Sequence, residues 1–69
     1  MEWDLTGMRV KGNYLGSYPV EGVVRLSRVK YGGTVSHHVI LDQPVYMFGE
    51  QREAVILEHS SVTQVMGSK

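Results

Sequence analysis

The chain has no cysteine, one alanine, one tryptophan, one phenylalanine and two prolines in 69 residues, and its seven Lys and Arg balance its seven Asp and Glu. Each scarcity excludes something. Without cysteine there is neither a disulfide framework nor a thiolate metal site. Three histidines are too few for a convincing zinc site. Zero net charge argues against a strongly basic nucleic-acid coat and against a polybasic membrane tether. No apolar run exceeds four residues, so no membrane span or signal-peptide core is expected and the expected setting is cytoplasmic. A chain this short buries only about 60% of the surface its unfolded form exposes, and with disulfides and metal excluded the remaining common remedy is oligomerisation.

What is present points to β-structure. Eleven valines and eight glycines stand where a helical protein would carry Ala, Leu, Glu and Lys. The expected fold class is all-β: one domain of five short strands in a strongly bent antiparallel sheet or small SH3-like barrel over residues 7–66. An N-terminal arm (1–6) precedes it and a frayed tail (67–69) follows. In the arm, Trp3 and Leu5 are apolar at alternate positions and suited to cover an open barrel end. The pattern predicts strands at 8–15, 20–29, 34–42, 53–58 and 62–66. Turns are expected at Gly16-Ser17-Tyr18-Pro19, Gly49-Glu50-Gln51 and His59-Ser60-Ser61. Asp42-Gln43-Pro44 is expected to end the third strand.

Lys30-Tyr31-Gly32-Gly33 reads as the tip of a hairpin, with a two-residue Gly-Gly turn setting the register. On that register Val24 faces Leu41 and Leu26 faces Val39 in the core. Arg28 faces His37 near the tip, and Ser27 faces His38 on the other side of the sheet. Five basic residues (Arg9, Lys11, Arg25, Arg28, Lys30) and only Glu21 fall between 9 and 30, whereas 42–58 holds four acids and only Arg52. A basic tip carrying Tyr31, His37 and His38 combines cations with planar rings, as single-strand binders do.

No enzyme is expected. The chain lacks a glycine-rich phosphate loop and a cysteine nucleophile, and no motif orients Ser36, Ser60 or Ser61 into a triad. His37 and His38 point to opposite faces of a strand and cannot share one metal ion. Neither a cofactor nor a metal is expected.

Gly7-Met8-Arg9-Val10, a Gly-Ser turn, Glu21-Gly22-Val23-Val24 and Val39-Ile40-Leu41-Asp42 together resemble the first motif of the Sm/Lsm family. Residues 55–65, a hydrophobic strand, a short polar turn and a second hydrophobic strand, resemble its second motif. Glu58-His59 is similar to the Lys-His pair of bacterial members with the first charge reversed. The resemblance covers about residues 7–66. It implies a ring of identical subunits, closed by pairing Ala54, Val55, Ile56 and Leu57 of one subunit with Val62, Thr63, Gln64 and Val65 of the next. It also implies single-stranded RNA bound on the ring. Arg28, Lys30, Tyr31, His37, His38 and His59 are the RNA-binding candidates. The chain departs from the family in its short arm, its long second hairpin, Ser36-His37-His38 in place of an Asp-x-x-Asn loop, and Glu58-His59 in place of Arg-Gly. Compact divergent members occur in phage genomes, an origin that a 69-residue chain would suit. The competing expectation, favoured by zero net charge and Glu58, is a structural module that binds another protein and no RNA.

Overall fold

A computed structural model describes residues 3–68; Met1 and Glu2 of the expected arm and Lys69 of the tail lie outside the described residues. Five strands form one antiparallel sheet: β1 (Met8–Tyr14), β2 (Tyr18–Val29), β3 (Val35–Met47), β4 (Glu50–Glu58) and β5 (Val62–Ser68), in the order β4-β3-β2-β1-β5. A single 3₁₀ turn, His59–Ser61, joins β4 to β5. The sheet is not closed into a barrel, because its two edge strands, β4 and β5, pair only with β3 and β1. Among the described residues no helix is long and apolar enough to cross a membrane.

Period-two alternation builds the core. Val24, Val39 and Val55 form one row across β2, β3 and β4. With Leu5, Val10, Val20, Leu41 and Leu57 they make the buried cluster. Leu5 of the arm packs into this cluster, on the inner face of the open sheet and not over a barrel end. The sheet bends enough for β1 to approach the β4–β5 junction. A Cβ on Gly12 would stand 2.6 Å from the Ser61 carbonyl oxygen and 2.9 Å from Leu57 Cδ1, so only glycine permits that approach.

Several expectations shift at the turns. Lys30 N–H donates to the Thr34 carbonyl at 2.6 Å and Gly33 N–H to the Lys30 carbonyl at 2.9 Å. The loop therefore holds three residues, Tyr31 to Gly33, and not two. Both glycines have positive φ, 93° and 91°, as the turn requires. Below the tip an irregularity at Arg25 adds one residue to β2. A bulge of this kind reverses which side chains face inward. Leu26, expected in the core, turns outward at 48% exposure, and Ser27 turns inward at 8%. The observed partners are Val24 with Val39, Leu26 with His38, Ser27 with His37 and Arg28 with Ser36.

β3 does not stop at Asp42. It continues to Met47 through a second irregularity between Ile40 and Val45, where the missing N–H of Pro44 breaks no regular ladder. The β3–β4 turn is Phe48-Gly49, one residue earlier than expected, with both φ positive (53° and 76°). The fifth strand runs on through Gly67 to Ser68, which pairs with Met8, so those two residues are not a frayed tail.

Candidate functional site

The two faces of the second hairpin carry different chemistry. On the outer face, Arg28, Lys30, Tyr31 and His38 line a groove of about 510 Å³ together with Leu26, Val29, Ser36 and Ile56. The β-ladder explains the grouping. Leu26, His38 and Ile56 form one cross-strand row and Arg28, Ser36 and Glu58 the next. The groove thus has an aliphatic floor, a basic rim and Tyr31 at the tip. Glu58 stands in the same row as Arg28 and brings a carboxylate to the groove's border.

The free positive charge at this tip is smaller than a count along the chain implies. Arg9 on β1 is held by Glu21 (3.1 Å) and by both carboxylate oxygens of Asp42. Asp42 first, and Glu21 second, raise its already high pKa. Arg9 is therefore a clamp across β1, β2 and β3, not a candidate phosphate contact. Arg28 and Lys30 are in no ion pair among the described residues.

On the inner face the bulge and the three-residue loop place Ser27 opposite His37. Ser27 Oγ lies 2.7 Å from His37 Nδ1, and His37 Nε2 lies 2.8 Å from His59 Nδ1. The imidazole rings are tilted 51° to one another at 5.1 Å. His37 is 0% exposed, so both its ring nitrogens are engaged and no edge or face of the ring is left for a base. His59 is exposed. Burial first, and His59 second, push His37 below the ordinary histidine pKa; Asp4 in the arm pulls weakly the other way.

The RNA-binding candidates therefore divide. Arg28, Lys30, Tyr31 and His38 come together, while His37 and His59 sit across the sheet from them. Of the two adjacent histidines, His38 is half-exposed in the groove, and His37 is buried. Ser27 was not singled out in the sequence. Ser27 and His37 have the spacing of a nucleophile and its base. However, Ser27 is buried, its Oγ accepts the Leu5 N–H at 3.0 Å, and the groove opens on the opposite face. Among the described residues no three His, Asp or Glu side chains gather as metal ligands.

The candidate interface strands divide as well. Val55 and Leu57 point into the core, Ala54 is half-buried, and Ile56 is 56% exposed in the groove. Val62 is half-buried against the core, whereas Thr63, Gln64 and Val65 are exposed. What both strands leave open is backbone: the outer edge of β4 and the outer edge of β5 have no strand beside them. No family model matches this chain, and neither a curated protein nor a solved structure matches it.

Proposed function

We propose that this chain is an Sm-like, ring-forming cytoplasmic protein that binds single-stranded RNA weakly through the outer groove of its second hairpin. The observation that carries the reading is the convergence of Arg28, Lys30, Tyr31 and His38 on one groove. Two cations suit a phosphodiester backbone, and Tyr31 offers a stacking face to any base. The assembly is supported by the open edges. β5 is uncharged from Val62 to Ser68 and has no proline, so nothing protects it as a free edge. Pairing β4 of one subunit with β5 of the next would satisfy both edges through a heterologous contact that closes on itself. A ring repeats each weak contact once per subunit, so the contacts act together through effective concentration.

The test is binding of oligo-U and oligo-A over a salt series. Each phosphate contact made by Arg28 or Lys30 should add about −0.7 to the slope of log affinity against log salt for a single strand. Arg28→Ala with Lys30→Ala should weaken binding and flatten that slope. Tyr31→Ala should cost roughly 1–3 kcal/mol per stacked base. Glu58→Arg should strengthen binding by removing the carboxylate two strands from Arg28 in the same cross-strand row. If neither oligonucleotide binds at low salt and the charge variants change nothing, the groove takes a protein partner instead. Leu26 and Ile56, both about half exposed on its floor, suit that second reading.

A further inference from the structure

The buried serine and its two histidines have no part in the groove, and their hydrogen bonds lead to the N-terminal arm. Leu5 N–H donates to Ser27 Oγ at 3.0 Å, and Ser27 N–H donates to Thr6 Oγ1 at 3.1 Å. Gly7 N–H donates to the Val24 carbonyl at 2.7 Å. The arm and the glycine that follows it are thus stitched to β2 by three bonds, and both of the arm's own involve Ser27. Ser27 in turn is bonded to His37, and His37 to His59.

One assignment of hydrogens satisfies every member. Ser27 Oγ accepts from Leu5 and donates its own hydrogen to His37 Nδ1. His37 Nε2–H then donates to His59 Nδ1, and His59 carries its hydrogen on Nε2, toward solvent. This arrangement requires both imidazoles neutral. A proton on His59 Nδ1 would set two N–H groups head to head across 2.8 Å. If the pair passes that proton inward, His37 Nδ1 becomes a donor. Ser27 Oγ must then accept from two groups at once, and its own hydrogen loses its buried acceptor. In either case the chain has one hydrogen too many, and the break falls at its solvent end or at the arm.

We infer that Ser27, His37 and His59 form a proton-operated latch: proton uptake by the imidazole pair loosens the arm from Ser27. The surroundings of His37 suit a switch. From β4 it faces apolar Leu57, from β2 uncharged Ser27, and from the 3₁₀ turn His59. Asp4 in the arm is the carboxylate that acts on it, from an exposed position where its oxygen already accepts the Thr6 N–H at 3.1 Å. Arg28 and Glu58 belong to the outer-face row. Burial and His59 together outweigh Asp4 and hold His37 below 6.5. The folded protein therefore binds fewer protons than the unlatched chain just below that pH. The latch is closed above 6.5 and yields as pH falls beneath it.

The inference depends on neither the ring nor RNA, and the unmodified protein tests it. Trp3 is the only tryptophan and lies in the arm, half-buried, so its emission reports the arm directly. As the pH is lowered from above the ordinary histidine value to well below it, Trp3 emission should move to the red. The Leu5 amide should lose protection against hydrogen exchange, after correction for intrinsic rates, by about tenfold for each unit by which His37 is displaced. NMR titration of the His37 ring protons should give the same midpoint. His37→Gln, which removes the titrating group and keeps an acceptor for Ser27, should leave both readouts flat with pH. Unchanged Leu5 protection while His37 titrates would overturn the latch, as would a pH-dependent arm in His37→Gln.

Discussion

Gly12→Ala isolates the geometry that bends this sheet. The added methyl would meet the Ser61 carbonyl oxygen at 2.6 Å, Leu57 Cδ1 at 2.9 Å and the Ser61 carbonyl carbon at 3.3 Å. Comfortable separations are about 3.3–4.0 Å, so something must retreat by several tenths of an ångström. The two obstacles differ in kind. Leu57 Cδ1 is the end of a side chain and can turn. The Ser61 carbonyl is backbone in a turn held at both ends: Val62 N–H donates to the His59 carbonyl, and the His59 ring is bound to His37. Overpacking of this kind costs about 1–3 kcal/mol. Alanine also restricts the unfolded chain, which offsets about 0.4–1 kcal/mol. Taking the middle of each range, the net loss should be about 1.3 kcal/mol, or a fall in Tm of about 5–10 °C for a domain of this size. Thermal melts at one fixed protein concentration measure it, since assembly would make Tm concentration-dependent. A double-mutant cycle with Leu57→Val then separates the obstacles. Because the carbonyl remains, the coupling should be below about 1 kcal/mol. A coupling equal to the whole cost would show that the Leu57 tip is the only obstruction. A neutral Gly12→Ala would show that β1 and the 3₁₀ turn are not in close approach.

Two further perturbations address the hairpin and the edge. Gly32→Val with Gly33→Val should destabilise the fold by roughly 1–3 kcal/mol per residue, because both positions have positive φ that a β-branched side chain resists; an unchanged Tm would place the register-setting turn elsewhere. Gln64→Pro and Val65→Pro should differ from one another, because these two pair regularly with Lys11 and Val10 and successive N–H groups of a regular strand point to opposite sides. One removes a donor toward β1 and weakens the fold, while the other removes an outward donor and should leave a folded monomer by light scattering. A folded monomer for the unmodified chain would sink the ring.

Much of the architecture is legible in local patterning. Valines at alternate positions and glycine-bearing turns are short-range signals, and they locate all five strands and the tip at residues 30–33. Register is different, since it depends on counting through turns and bulges. The loop of three residues and the extra residue at Arg25 each move the pairing by one, and nothing in the composition of Val24-Arg25-Leu26-Ser27 marks a bulge. That is why Leu26 was expected inside and Ser27 outside. Pro44 misleads for a related reason: it halts a regular ladder, but an irregularity can carry it. The buried role of His37 did leave a signal. Val35, His37, Val39 and Leu41 share one face by period two, and a histidine continuing an apolar face is a candidate for burial. Its partners were hidden because they lie 10 and 22 residues away, joined by the register and by the fold.

The same bulge explains why the sheet can separate two kinds of chemistry only one strand-thickness apart. If β2 continued in register past Val24, Leu26 would stay inward and Ser27 would point outward. His37 would then face an aliphatic side chain and lose the hydroxyl that fixes its Nδ1. The arm would also lose its anchor, since the Leu5 N–H bonds to Ser27 Oγ. On the outer face the groove would lose Leu26 from its floor. One inserted residue thus supplies the aliphatic base of the outer groove and the polar end of the inner chain together. Deleting Arg25 should therefore spare both faces, since Leu26 would then follow Val24 outward and Ser27 inward in a regular ladder with the same β3 partners. Variants confined to one face, such as Arg28→Ala with Lys30→Ala or His37→Gln, should leave the other face as it is. That independence lets RNA binding and the latch be tested without either result standing in for the other.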